Sequence, residues 1–175
     1  MVTFELLDEP DSSITEPSTA LRRQIQHLFG RSLHIRHVDA GSCNGCESEI
    51  KLLTSPYYDI HRLGIFFATT PRHADLLLVT GAITRAMVDP LQRTYAAMPE
   101  PRLVVATGAC ACDGGIFGRS CLTLDRLSAI LPVDTYIPGC PPTPLALIHG
   151  LLLTLGRAEQ RLHRQILAHH ADGKA

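Results

Sequence analysis

Apolar and polar positions follow two rhythms along this chain. Leu21, Ile25, Leu28 and Phe29 recur three and four residues apart, with Arg22, Arg23, Gln24 and Gln26 largely opposite them. That spacing predicts an amphipathic helix capped by Ser18 or Thr19 and ended by Gly30. Residues 76–81 (LLLVTG) and 103–108 (LVVATG) are instead short continuous apolar runs closed by glycine. Such runs suit strands buried on both faces.

Weaker patterns fill the gaps. Alternation over 33–39 predicts a first strand, and further strands are expected within 60–67 and over 134–137. Helices are expected over 47–53, 83–98 (Met87, Leu91, Tyr95 and Met98 on one side, a possible bend at Pro90) and 124–130. A last helix starts at Pro142 or Pro144, where proline's missing donor costs nothing, reaches about His163 or beyond and frays toward the end. Residues 1–18, with Asp8, Glu9, Asp11, Glu16, Pro10 and Pro17, read as an irregular arm.

Strands alternating with helices imply an α/β fold: a flavodoxin-like parallel sheet with helices on both faces. The expected organisation is an N-terminal arm and helix over 1–30, one folded domain over 31–160 and a fraying tail over 161–175. The helix within 1–30 either packs on its own domain or docks on a neighbouring subunit.

Sixteen basic and seventeen acidic residues give a net charge of −1. No field of one sign covers the surface, and Trp is absent, so a nucleic-acid role has no support. No stretch reaches the roughly 18–20 apolar residues of a membrane-spanning helix, and the acidic N-terminus lacks a signal-peptide pattern. A cytosolic protein, or one bound to the cytosolic face of a partner, is expected. Six cysteines in that compartment point to metal ligands or buried thiols ahead of disulfides.

Four of them stand out. Cys43 and Cys46 form a CxxC pair after the first predicted strand, Cys110 follows the strand at 103–108, and Cys140 follows the one at 134–137. Ligands in parallel sheets bind beyond the carboxyl ends of strands, so these thiols are expected to converge in one crevice. Four thiolates suit structural zinc or a [4Fe–4S] cluster. Zinc sites commonly use two close pairs, and the 29 residues between Cys110 and Cys140 favour the larger cluster. A thioredoxin-like pair remains open but leaves Cys140 without a role. Cys112 is expected to point away from the site, and Cys121 to be a small buried hydrophobe.

The blocks Cys43-Asn44-Gly45-Cys46-Glu47, Pro71-Arg72-His73-Ala74-Asp75-Leu76, Met98-Pro99-Glu100-Pro101-Arg102, Gly108-Ala109-Cys110 and Pro138-Gly139-Cys140-Pro141-Pro142 occur in an informative order. Together they resemble the small subunit of energy-converting [NiFe]-hydrogenases, and the homologous 20-kDa (PSST, B) subunit of complex I. The resemblance covers roughly residues 32–156. Complex I subunits carry adjacent cysteines in the first block, so the CxxC form looks like the hydrogenase branch.

The resemblance implies one [4Fe–4S] cluster on Cys43, Cys46, Cys110 and Cys140 in an electron-transfer subunit. It implies as partners a large [NiFe]-type catalytic subunit, a ferredoxin-like subunit and membrane ion-pumping subunits, with the chain peripheral on the cytoplasmic side. Glu47, Glu49 and Arg72 are candidates for tuning the cluster; acidic residues at a helix start or an ordinary surface charge are the plainer alternatives. A complex I-type subunit passing electrons to quinone, and a zinc-stabilised interaction module, are the competing functions.

Overall fold

The computed structural model describes residues 12–172, with side chains described over 19–160. Helix α1 (Ser12–Phe29) precedes strand β1 (Leu33–Asp39), α2 (Gly45–Leu52), β2 (Ile65–Phe67) and β3 (Leu76–Thr80). Then come α3 (Arg85–Ala96), β4 (Leu103–Thr107), α4 (Ala109–Asp113), β5 (Thr135–Ile137) and α5 (Pro144–Asp172). All strand pairs are parallel, in the order β2-β1-β3-β4-β5. That is the flavodoxin-like order, whose topological switch point lies between β1 and β3.

The two central strands are buried at every position, and successive side chains point to opposite faces. Leu76, Leu78, Leu103 and Val105 pack with Leu21 and Ile25 of α1, Ile50 of α2, and Leu147, Leu151 and Leu155 of α5. Leu77, Val79, Val104 and Ala106 pack instead with Leu91 of α3 and with Ala111, Leu127 and Leu131. Helices therefore cover both faces. The apolar stripe of α1 is buried in its own domain, against α5.

Buried Asp75 ties the lower ends of β1 and β3 together. It accepts two hydrogen bonds from Arg31 and one, at 3.0 Å, from the backbone N–H of His34. Among the described residues no helix is long and apolar enough to cross a membrane.

Four local expectations change. The first helix begins at Ser12, ahead of the expected cap, so residues 12–18 of the expected irregular arm are helical. Residues 1–11 of the expected arm lie outside the described residues. The strand expected within 60–67 shrinks to Ile65–Phe67, because Ile60 and Leu63, both buried and three apart, form a 3₁₀ turn. The helix expected over 124–130 is only a 3₁₀ turn, Leu127–Ala129. A helix absent from the sequence reading, α4, follows β4 and includes Cys110 and Cys112.

Candidate metal centre

The site is built where β1, β4 and β5 end. Beyond β1 the chain turns sharply: Asp39 Oδ1 accepts the backbone N–H groups of Gly41 (2.8 Å) and Ser42 (2.7 Å). Asn44 then takes the left-handed conformation (φ 66°) and hands the chain to α2, a conformation that Asn tolerates better than most residues. Cys43 thus lies in the turn and Cys46 in the first turn of α2.

Beyond β4, Gly108 leads directly into α4, which carries Cys110. Backbone bonds join this loop to the one after β5: Gly108 N–H to the Ile137 carbonyl and Ala109 N–H to the Gly139 carbonyl, each 2.8 Å. Cys140 follows Gly139 in that loop. The Cys140–Pro141 peptide bond is cis.

Glycines of these loops lie close to the thiols. A Cβ on Gly108 would lie 2.6 Å from Cys46 Sγ, and one on Gly115 3.2 Å from Cys110 Sγ. A Cβ on Gly45 would lie 3.6 Å from Cys43 Sγ and 3.8 Å from Pro141 Cβ. The Cys46 thiol is pushed up to about 12, first by burial, then by Glu47, Cys110, Cys43 and Cys140. Burial also raises Cys110, followed by the effects of Cys140 and Cys43. The four are therefore within electrostatic range of one another. Among the described residues no three His, Cys, Asp or Glu side chains close around a single metal ion.

The donor set fits an iron–sulfur group. Four sulfurs come from three loops, and the approach that a side chain at 108 would block is left open by glycine. Each thiol must lose its proton to ligate, and their mutual repulsion makes a positively charged centre the natural partner.

The other cysteines stand apart. Cys112 Sγ turns toward the Ala106 (3.5 Å) and Ile137 (3.7 Å) carbonyls, and burial, then Asp113, pushes its thiol up to about 11. Cys121, expected to be buried, is exposed. It belongs to the glycine-rich loop after α4, whose large apolar residues Ile116 and Leu122 are also turned outward.

Of the candidate tuning residues, Glu47 is tightly engaged. Its carboxylate accepts hydrogen bonds from Ser42 Oγ and Thr80 Oγ1. Burial pulls its pKa up, but the Ser42 and Thr80 bonds outweigh it and leave it lowered. His37 Nε2 lies 2.9 Å from Thr80 Oγ1 and 3.6 Å from Glu47 Oε1. Burial lowers the His37 pKa despite Glu47 and Asp39, which keeps the imidazole neutral at pH 7. A cleft of about 440 Å³, whose lining includes Arg36, His37, Asn44, Glu47 and Lys51, opens beside this network. Glu49 is half-buried on α2. Arg72 is exposed in the 3₁₀ turn Pro71–His73, within the short crossover from β2 to β3.

The sequence reading missed Asp39, Ser42, Thr80 and His37. A signal was present: the alternating strand β1 and the apolar run of β3 both end on a polar residue, Asp39 and Thr80, and these two pair in register.

The family described as NADH ubiquinone oxidoreductase, 20 Kd subunit, matches residues 43–154. The chain is 44% identical over 153 residues to formate hydrogenlyase subunit 7 of Escherichia coli, covering 87% of this chain and 58% of that protein's length. It is 41% identical over 143 residues to the probable membrane-bound hydrogenase subunit mbhJ of Pyrococcus furiosus, covering 82% of this chain and 86% of the relative. A chain in the solved structure of the membrane-bound sulfane sulfur reductase, an archaeal respiratory membrane complex, superposes with a TM-score of 0.66 at 33% identity. That match covers 83% of this chain and 77% of the other. An NAD+-reducing [NiFe]-hydrogenase structure shares the fold at a TM-score of 0.52 and 22% identity, covering 65% of this chain and 85% of the other.

Proposed function

The chain belongs to the family of the NADH ubiquinone oxidoreductase 20 Kd subunit, and from that premise we propose that it is the electron-transfer subunit of a membrane-bound, hydrogenase-type complex. In this reading Cys43, Cys46, Cys110 and Cys140 hold one [4Fe–4S] cluster. The convergence of these thiols from three loops at one end of the sheet carries the proposal. The family binds an iron–sulfur cluster, and the four thiols supply its usual ligand set. When bound, the cluster supplies one-electron relay chemistry.

The rest falls to the protein. Gly108 leaves room for Cys46 Sγ, Asp39 fixes the turn before Cys43, and the β4 and β5 loops hold Cys110 and Cys140 in mutual register through paired backbone hydrogen bonds. Ile116, Phe117 and Leu122, 83%, 50% and 71% exposed, lie on the loop following Cys110. Large apolar side chains held outward in this way suit coverage by another subunit. We assign that face to a large [NiFe]-type catalytic subunit. Electrons then pass between it and a ferredoxin-like subunit, with membrane ion-pumping subunits completing a complex on whose cytoplasmic side this chain is peripheral.

The hydrogenase branch is favoured over quinone reduction by the CxxC spacing and by the two hydrogenase-named relatives. The likeness to a chain of a membrane-bound sulfane sulfur reductase keeps a second outcome in view, a respiratory membrane complex that is not a hydrogenase. Purification of the intact complex under anaerobic conditions, with nickel analysis of the large subunit and an EPR redox titration, tests the assignment. Nickel together with a reducible iron–sulfur signal lost in Cys110→Ser supports it. A complex that lacks nickel and reduces quinone contradicts the hydrogenase reading.

A further inference from the structure

The hydrogen bonds around Glu47 form a chain with one direction. Thr80 is fully buried at the end of β3 and gives its hydroxyl hydrogen to Glu47 Oε1. Its oxygen is then left to accept, so His37 Nε2, 2.9 Å away, is the donor to it. On the other side Ser42 Oγ donates to Glu47 Oε2 and accepts the backbone N–H of Asn44 at 2.9 Å. The N–H groups of Gly41 and Ser42 end on Asp39 Oδ1. Hydroxyl donors from β3 (Thr80) and from the loop itself (Ser42) thus meet on the carboxylate of the residue following Cys46, with His37 of β1 one hydrogen bond further out.

We infer that Glu47, through Ser42 and Thr80, is a positioning residue that latches the Cys43–Cys46 loop onto the ends of β1 and β3. The inference rests on the metal-centre reading for its functional meaning, although the latch itself is a property of the folded chain. It differs from a tuning role, in which the negative charge of Glu47 acts on the centre through space. In a latch the hydroxyl donors matter as much as the carboxylate, and their loss is felt with the charge intact. A favourable acid at the helix start requires neither hydroxyl.

Substitutions that separate hydrogen bonds from charge decide between the two. Thr80→Val keeps the volume and the Glu47 charge but removes the donor, Thr80→Ser restores it, and Glu47→Gln removes the charge while keeping an acceptor oxygen. Two readouts apply: amide hydrogen exchange of Ser42 and Asn44 in the metal-free chain, and the EPR line shape and midpoint potential of the assembled complex.

The latch predicts about tenfold faster exchange at these amides in Thr80→Val, the size expected for losing a buried bond to a charged group. It also predicts a broadened EPR signal, both effects being reversed in Thr80→Ser and smaller in Glu47→Gln than in Glu47→Ala. Wild-type exchange and EPR in Thr80→Val, with a potential shifted equally in Glu47→Gln and Glu47→Ala, would overturn it. A wild-type chain that carries no iron contradicts the metal-centre reading instead, and the exchange measurement still decides the latch.

Discussion

Cys46 Sγ rests against Gly108 so closely that a Cβ at position 108 would lie 2.6 Å from the sulfur. The glycine opening the β4 loop and the second cysteine of the β1 loop therefore share one contact, although 62 positions (108 − 46) separate them in sequence. Gly108 also adopts φ 85°, ψ 154°, a combination essentially confined to glycine.

Gly108→Ala is expected to disturb the centre more than the fold. Backbone strain at such a position costs roughly 1–3 kcal/mol, while the new methyl displaces one of the four sulfurs. Thermal unfolding with iron analysis checks this: Tm falls by a few degrees, whereas bound iron is largely lost. Full iron retention would show that the contact is dispensable.

A second glycine links packing to the site from farther away. A Cβ on Gly150 of α5 would run into Cδ1 and Cγ1 of Ile137, the last residue of β5 and three before Cys140. Gly150→Ala is expected to cost roughly 1–3 kcal/mol through overpacking and to loosen the Cys140 loop. Denaturant unfolding measures the first effect and the iron retained after anaerobic gel filtration the second.

Cys112 and Cys121 are expected to be dispensable for the centre. Cys112 is turned toward two backbone carbonyls and Cys121 is exposed. Cys112→Ala and Cys121→Ser each retain wild-type iron content and EPR spectra, whereas Ser at 43, 46, 110 or 140 does not. Iron loss in Cys112→Ala alone, with Cys110→Ser unaffected, would move the ligand assignment by two residues.

The thiols give loading a definite pH dependence. Burial, then neighbouring charge, lifts Cys46 from 9.0 to about 12, and Cys110 is also raised. Both are thiols at neutral pH in the metal-free chain, and ligation releases their protons. Apparent metal affinity therefore rises with pH through the neutral range, and reconstitution at pH 8.5 outperforms that at pH 6.5. For the metal-free fold the sign is the reverse. Cys46 ionises in the unfolded chain near pH 9.0 but in the folded chain near 12, so stability present below pH 9 is lost between these values. Metal-binding titrations and urea unfolding across pH measure the two trends.

The central sheet was legible because the runs at 76–79 and 103–106 are apolar throughout before a closing Thr80 or Thr107, as strands buried on both faces require. The placement of Cys43, Cys46, Cys110 and Cys140 beyond the ends of β1, β4 and β5 was legible from the strands they follow. The 3₁₀ turn Ile60–Leu63 was not, because four residues with two buried positions carry too little pattern to separate from a strand. Helix α4 was hidden for a related reason: Ala109–Asp113 is five residues long and opens on Gly108, which reads as a loop. The bonds of Glu47 depend on a register between β1 and β3 that brings Thr80 beside Asp39, and no local window contains both residues.

Iron and acid-labile sulfide, measured together on the anaerobically purified chain, test the four-thiol centre most directly. The account predicts about four of each per chain, as a [4Fe–4S] cluster requires, both falling away in Cys110→Ser. A colourless protein with one zinc and no sulfide would contradict it.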